Sequence, residues 1–291
     1  MRTYFDCYPC FLRQALSAAR RVDADDEQIQ TVMVEVLDLL RDIPAGTTPP
    51  EMAYHVHHIV RAEVEAEDPY CEAKAKSTRQ ALALYPQLVS EVDKSDDHLA
   101  TAIRLSIAGN IIDLAVGEGY DLWESLTRVL EQPFAIDDRP ALRAELADAE
   151  FVLFLADNAG ETVFDRVLVE TLDVPVTYAV KGGPILNDAT RDDARAAGLD
   201  EIATIVDTGV DAPGTILDLC SPAFLSLFES APVVIAKGQA NYETLSTADP
   251  KVFCLLQIKC PVIAQDIGAA VGDIVVRQSH PADLSLREER E

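Results

Sequence analysis

The stretch Phe151-Val-Leu-Phe-Leu-Ala-Asp-Asn-Ala-Gly-Glu161 decides the fold class of this 291-residue chain. It begins with a short apolar run bounded by polar residues, which is typical of a strand buried on both faces of a parallel sheet. Similar apolar runs alternate with helical patterns further along the chain. The apolar runs lie at 174–180, 201–206 and 232–236, and the helical patterns at 160–172, 188–197 and 222–230. This alternation predicts an α/β fold with a doubly wound, mostly parallel sheet.

The chain before residue 149 has a different pattern. Apolar residues recur there at helical spacing, and little in this part is typical of a strand. The helical patterns lie at 11–19, 29–40, about 49–67, 72–90, 96–117 and 121–131, and two late apolar runs at 261–264 and 273–277 predict further strands. We therefore expect an all-helical domain over 1–148 and an α/β domain over 149–291.

The chain is strongly acidic, with 24 Lys and Arg against 50 Asp and Glu and a formal net charge of −26. Such a field repels nucleic-acid phosphates and anionic lipids, so we expect neither a nucleic acid nor a membrane as a partner. No apolar run reaches the roughly 18 residues of a membrane helix, and the N-terminus lacks the apolar segment of a signal peptide. We expect a cytoplasmic protein. The acidity suits the salty cytoplasm of a halophile, and the alternative is an acidic cytosolic protein without that adaptation.

Polar residues follow the apolar run at 151–156, where a parallel strand ends and ligands of such sheets bind. A carboxylate and an amide oxygen, on Asp157 and Asn158, are ligands that Mg²⁺ or Mn²⁺ accepts, and a helix N-terminus accepts phosphate. The alternative is that these residues only cap the next helix, with Gly160 permitting the turn.

Two later strand ends carry comparable motifs. Lys181-Gly-Gly-Pro-Ile-Leu-Asn-Asp188 offers another carboxylate, and Lys237-Gly-Gln-Ala-Asn241 offers a cation in a chain with few lysines. A turn followed by a helix cap explains the motif at 181–188 equally well. For Lys237 the alternative is a solvated lysine without a role in binding. The chain has no dinucleotide-binding glycine motif, P-loop or Gly-x-Ser-x-Gly elbow.

The cysteines form a separate candidate site. In the absence of a secretion signal, thiols or metal ligation are more plausible than disulfides. Cys7 and Cys10 could bind Zn²⁺ or an iron–sulfur cluster if the fold brings Cys71 and Cys260 next to them. The alternative is a set of inert thiols, and Cys220 and Cys254 have the character of packing residues.

The motifs at 157–161, 181–188 and 237–243 resemble those of the domain-of-unknown-function 89 family. This family consists of metal-dependent damage-control phosphatases, and some eukaryotic members were once proposed to methylate protein carboxyl groups. Ser106-Ile-Ala-Gly-Asn-Ile-Ile-Asp113 is similar to the family's helical motif. Cys7-Tyr-Pro-Cys10 and Lys259-Cys-Pro261 resemble its cysteine-bearing prokaryotic branch, and the resemblance runs from about residue 3 to 277.

The resemblance implies a helical domain over a Rossmann-like domain that hydrolyses phosphate monoesters of small metabolites, such as sugar phosphates or damaged phosphometabolites. It also implies one divalent ion, Mn²⁺, Ni²⁺, Co²⁺ or Mg²⁺, held by Asp157, Asn158 and Asp188. The partner would be a small phosphorylated metabolite, and the oligomeric state stays open.

On the basis of this resemblance we assign roles to further residues. Lys237 would neutralise the phosphoryl oxygens, Asn110 would orient phosphate or metal, and Glu161 would orient an attacking water. The remaining substrate-binding candidates are Gly160, Lys181, Asn241 and Asp113. Whether water or an aspartate attacks phosphorus stays open.

Two other functions remain as alternatives. A Rossmann-like domain could bind S-adenosylmethionine for protein carboxyl methylation, although no glycine-rich first turn is present to hold it. A redox or metal-binding module built on the cysteines is the second alternative.

Overall fold

A seven-stranded sheet lies at the centre of the protein. The computed structural model describes residues 1–111 and 122–280. The strands are β1 Phe134–Asp137, β2 Val152–Leu155, β3 Val176–Val180, β4 Thr204–Asp207, β5 Val233–Lys237, β6 Val252–Gln257 and β7 Ile274–Gln278. The helices in these ranges are α1 Tyr8–Arg21, α2 Asp26–Arg41, α3 Pro49–Val64, α4 Cys71–Lys94, α5 His98–Ala108, α6 Leu122–Glu131, α7 Arg139–Asp148, α8 Thr162–Thr171, α9 Arg191–Ala196, α10 Pro222–Ser230, α11 Gly238–Leu245 and α12 Pro261–Ile267.

The strand order is β1-β7-β6-β5-β2-β3-β4, and all neighbouring pairs are parallel except β6 and β7. From β2 the chain moves outward through β3 to β4, and it then returns to place β5 on the other side of β2. The crossover direction therefore reverses between β2 and β5, and ligands of open α/β sheets bind at such a switch point. The predicted doubly wound, mostly parallel sheet is confirmed.

Helices cover both faces of the sheet, which explains the continuous apolar runs of its central strands. Every residue of β2 and β5 is buried. Phe154 and Ile235 pack with α4, α5 and α8 on one face, whereas Leu153 and Val234 pack with α10, α11 and α12 on the other. Alternate residues of a strand point to opposite faces, so each central strand contributes to both cores.

Helices α1–α3 form a separate apolar cluster around Phe11, Val32 and Val56. The start of α3 follows from its sequence, because Thr48 and Glu51 form a capping box and two prolines occupy the first helical positions. The helix predicted from about residue 49 is thereby confirmed. None of the helices within 1–111 and 122–280 is long and apolar enough to span a membrane.

Several segments differ from the sequence prediction, and the helices α7 and α11 were not among the predicted helical patterns. Residues 134–137 form β1, so the stretch expected to be all-helical contains a strand; it has only four residues, alternately half-buried and exposed. The strand β6 was not predicted, although its apolar run resembles that of β2. The run at 261–264 begins α12 instead of a strand. Pro261 lacks only an N–H that the first helical turn leaves unbonded, and short apolar runs do not distinguish helix from strand.

Candidate active site

Two loops at the switch point pair through their backbones. The amide of Ala159 donates to the carbonyl of Asn187 over 2.8 Å, and the amide of Ala189 donates to the carbonyl of Asp157 over 2.8 Å. Asn158 and Asp188 form an antiparallel bridge between these two bonds. The pairing brings Asp157, Asn158 and Asp188 together at the ends of β2 and β3, as the sequence predicted for a shared crevice.

The end of β5 approaches the same place through Gly238. Its φ of +81° is in the left-handed region, and a Cβ atom there would collide with the carboxylate of Asp157. Only glycine meets both requirements. The absence of a Cβ atom at Gly238 therefore allows the Asp157 carboxylate to lie directly against the end of β5.

The electrostatics of this crevice favour a cation. Burial, reinforced by the neighbouring carboxylate of Asp188, raises the pKa of Asp157. Asn110 donates from Nδ2 to Oδ2 of Asp157 over 3.4 Å, and its buried Oδ1 has no hydrogen-bond partner among the described residues. Carboxylate and amide oxygens are ligands of hard divalent cations, so the residues present fit such an ion. Within the described ranges no group of three or more His, Cys, Asp or Glu side chains is arranged to hold a metal, so this donor set depends on amides as well.

Lys237 lies beneath the crevice and is 1% exposed. Its ammonium donates to Oδ1 of Asp165 over 2.6 Å, to the carbonyl of Ser106 over 2.9 Å and to Oε2 of Glu161 over 3.1 Å. Burial alone would lower the pKa of Lys237, but the two carboxylates outweigh it and raise the pKa above its usual value. A lysine has three N–H donors, and all are engaged. In this structure Lys237 is therefore an internal counter-ion of Asp165 and Glu161, and the phosphate contact predicted from the sequence stays a prediction.

Glu161 and Asp165 extend this network. Asp165 also accepts from Ser106 Oγ and Tyr178 Oη, each over 2.7 Å. Oε1 of Glu161 accepts from Asn158 Nδ2 over 2.7 Å, and burial raises the pKa of Glu161. Both oxygens of Glu161 thus have internal partners, so the structure places it behind Asn158 and not at a position facing an attacking water.

The other predicted substrate-binding residues are engaged inside the protein. Lys181 donates to the carbonyl of Gly214 over 2.5 Å and lies 3.6 Å from Oδ2 of Asp188. Asn241 donates to the carbonyls of Ala156 and Lys237, which ties the ends of β2 and β5 together. These two side chains therefore stabilise the loops around the crevice.

Gly160 is buried in the turn at 159–161 that precedes α8. Asp113 lies outside the described residues.

A cavity of about 600 Å³ opens beside Asp157, Asn158 and Asp188. Its other lining residues include Phe11, Arg13, Gln14, Pro49, Pro50, Ala53, Leu186, Gln239, Glu243 and Lys259. The cavity therefore lies between α1 and α3 of the N-terminal helices and the carboxyl ends of the strands.

The sequence interpretation missed four charged residues of this cavity, namely Asp6, Arg13, Glu243 and Lys259. Lys259 is exposed, and among the described residues it has no ion pair, so its charge is available to an anion in the cavity. It follows β6 and would have been found if that strand had been predicted. Glu243 is 7% exposed, accepts a hydrogen bond from Gln239, and has its pKa raised to about 7, mainly by burial.

Comparison with known proteins assigns this chain to a family. The family model described as "Damage-control phosphatase ARMT1-like domain" matches residues 3–275. The chain belongs to this family. The resemblance noted in the sequence is therefore confirmed.

Relatives of this chain match over most of their length. The "Damage-control phosphatase" of Archaeoglobus fulgidus is 34% identical, over 93% of this chain and 97% of the relative. The protein of that name from Pyrococcus horikoshii is 33% identical, over 94% and 97%. A crystal structure of a duf89 family protein from P. horikoshii has a TM-score of 0.87 at 30% identity and covers 96% of this chain and 99% of its own.

Three of the four candidate metal-binding cysteines line the same cavity, namely Cys7, Cys10 and Cys260. Cys71 is exposed at the start of α4 and is not part of the lining. The four-thiolate site expected from sequence is thus corrected, because Cys71 does not line the cavity and no group of three or more metal-ligating side chains is found among the described residues. Cys220 and Cys254 are buried in the core between the sheet and α10–α12, which confirms their packing role.

Proposed function

We propose that the protein is a metal-dependent phosphatase that hydrolyses phosphate monoesters of small metabolites. The single observation that carries this proposal concerns the switch point of the sheet. There the loops after β2 and β3 pair through their backbones and bring together Asp157, Asp188 and the amide side chain of Asn158. Membership in a family of damage-control phosphatases supports the reaction class.

Asp157, Asn158 and Asp188 would hold the divalent ion, with Mn²⁺, Ni²⁺, Co²⁺ and Mg²⁺ as candidates. A bound ion supplies Lewis-acid stabilisation of a phosphoryl oxygen. The protein's own contribution is to keep the ligand carboxylates in place. Asp188 has Lys181 beside it, and Asn158 is fixed by Glu161, which is in turn neutralised by Lys237.

Cationic side chains that face the cavity would attract the substrate. In a chain of net charge −26 a phosphate dianion is repelled at long range. Arg13 and Lys259 line the cavity and are exposed, so they offer local positive charge to the incoming anion. The cavity volume of about 600 Å³ lies within the usual range of small-molecule sites and supports a metabolite as the substrate.

The methyltransferase alternative is not favoured. The turn after β2 presents Asp157 and Asn158 where a nucleotide cofactor would need close backbone approach. The relatives that carry a functional name in the comparison are named as phosphatases.

A panel of phosphorylated metabolites, assayed for phosphate release with each divalent ion in turn, tests the proposal. We expect release with at least one small phosphate monoester, dependent on added metal and independent of any methyl donor. Metal-loaded protein that releases no phosphate from any ester but transfers a methyl group from S-adenosylmethionine would overturn it.

A further inference from the structure

The turn that carries Asp188 contains a residue with an uncommon backbone conformation. Leu186 has a φ of +48°, in the left-handed region that residues with side chains rarely adopt. A hydrogen bond of 3.0 Å from the amide of Asp188 to the carbonyl of Ile185 closes the turn. Such a conformation persists only where the surrounding structure holds it. The turn therefore needs outside contacts to keep Asp188 in place.

The N-terminal helices provide these contacts. The side chain of Leu186 packs against the apolar cluster of α1–α3. Arg61, in the last turn of α3, donates from Nη1 to the carbonyl of Pro184 over 2.6 Å. Pro184 and Leu186 lie on either side of Ile185, where the turn begins, so the two contacts hold the chain at the start of the turn.

The guanidinium of Arg61 is itself held in place by a second loop. Its Nη2 donates to Oδ2 of Asp211 over 2.5 Å, and Asp211 lies in the loop after β4. This loop is tied to the loop after β3, because the amide of Gly182 donates to the carbonyl of Val210 over 2.8 Å. The side chain of Arg61 is only 16% exposed, and a planar guanidinium donates in fixed directions. Arg61 thus connects α3 with the loops that follow two neighbouring strands.

We propose that Arg61 is a positioning residue for the metal site, because through Pro184 it holds the turn in the conformation that brings Asp188 against Asp157. The hydrogen bond from the amide of Ala189 to the carbonyl of Asp157 depends on the same turn. The inference rests on the proposed function for one point only, namely that Asp188 is a ligand of the divalent ion. The proposed metal ligands all follow strands of the sheet, yet their arrangement depends on a helix of the N-terminal region.

Amide hydrogen exchange in the metal-free protein tests this role without relying on metal binding or catalysis. The amides of Asp188 and Ala189 report on the turn, since each donates to a carbonyl that this conformation brings within reach. Arg61→Met removes the bond to the turn. Arg166→Met is the matched control, because the side chain of Arg166 is 20% exposed and likewise donates to a carboxylate and to a backbone carbonyl. Neither Arg166 nor these two partners line the cavity.

We expect both amides to exchange about tenfold faster in Arg61→Met than in the wild type, which corresponds to one lost charge-assisted hydrogen bond. Arg166→Met should exchange these amides at the wild-type rates. Asp211→Ala removes the carboxylate that holds Arg61, so it should speed the same two amides to a smaller extent. Wild-type rates in Arg61→Met, or in Asp211→Ala if Arg61→Met does not fold, would overturn the assignment.

Calorimetric titration with Mn²⁺ links the turn to the metal site and reports separately on the proposed function. In a wild type that binds Mn²⁺, Arg61→Met should weaken binding about tenfold, whereas Arg166→Met should not. Arg61→Lys keeps a cationic donor for the carbonyl of Pro184 and should recover part of the affinity. Wild-type Mn²⁺ affinity in Arg61→Met would overturn the positioning role. A wild type that binds no divalent ion and hydrolyses no ester removes the proposed function, and the exchange rates then decide whether Arg61 holds the turn.

Discussion

The ammonium nitrogen of Lys237 lies 2.6 Å from Oδ1 of Asp165, and both side chains are closed to solvent. Asp165 lies four residues after Glu161, and Lys237 bridges the two carboxylates. This bridge connects the core beneath α8 with Asn158 in the crevice above it. A lysine that the sequence suggests as a phosphate contact is therefore part of the support of the proposed metal site.

Lys237→Met should destabilise the fold and not only weaken substrate binding. Removing one partner leaves Asp165 and Glu161 as uncompensated buried carboxylates, which costs about 3–5 kcal/mol. The free energy of unfolding in urea measures this loss. Lys94→Met, at an exposed lysine, is the matched control and should change stability by less than about 1 kcal/mol. A Lys237→Met protein of wild-type stability that has lost only phosphate affinity would restore the role expected from sequence.

Gly238→Ala should abolish metal binding at the crevice, because the new Cβ collides with the Asp157 carboxylate. Gly268→Ala is a matched control: its φ is also +81°, but no atom lies within 4 Å of its Cβ position. Both variants should lose about 1–2 kcal/mol of stability from the left-handed backbone. Calorimetric titration with Mn²⁺ separates the two effects, and equal Mn²⁺ affinity in the two variants would contradict the close approach seen at Gly238.

Glu243→Gln should stabilise the metal-free protein at pH 8 but not at pH 4. Burial raises the pKa of Glu243 from 4.5 to about 7, so the folded state binds a proton that the unfolded state has released. The stability that this group contributes is complete below pH 4.5 and is lost as pH rises through 7. The shift corresponds to about 3–4 kcal/mol. Urea unfolding of both proteins across this pH range measures it, and parallel stability curves would show that the carboxyl group is not perturbed.

Iodoacetamide should label Cys71 of the native protein well before Cys254. Cys71 is exposed, whereas burial raises the pKa of Cys254 to about 12 and leaves little reactive thiolate at neutral pH. Mass spectrometry of peptides at successive times gives the order, and the same reaction in urea is the control in which both should react alike. Simultaneous labelling in the native protein would argue against the packing of Cys254 beneath the sheet.

The main sheet could be predicted from sequence because β2, β3 and β5 are apolar runs buried by helices on both faces. The candidate site in the loops after β2 and β3 could be predicted from the rule that ligands bind at the carboxyl ends of parallel strands. The strand β1 could not be predicted, since four residues with two exposed positions carry too weak a pattern. Because β6 was not predicted, the rule was not applied at its end, and Lys259 was noted only as part of the Lys259-Cys-Pro261 motif and not as a site residue.

The direction of Lys237 required the structure, although one signal was present. Alternate residues of β5 share a face, so Lys237 points the same way as Val233 and Ile235, into the core beneath α5 and α8. The position of the motif places Lys237 at the end of a strand but does not show towards which face of the sheet its side chain points. The partner that makes its burial possible, Asp165, lies on a helix and belongs to none of the three strand-end motifs.

Metal-dependent phosphate release by the wild type and by Asp157→Asn is the most direct measurement of the central claim. Asp192→Asn, at a carboxylate whose side chain is 93% exposed, is the matched control. We predict that the wild type and Asp192→Asn release phosphate from a monoester with Mn²⁺ and stop in excess chelator. Asp157→Asn should remain folded but lose at least about a hundredfold in kcat/KM, equivalent to about 2.7 kcal/mol. Full turnover in excess chelator, or wild-type activity of Asp157→Asn, would contradict a metal ion held at this crevice.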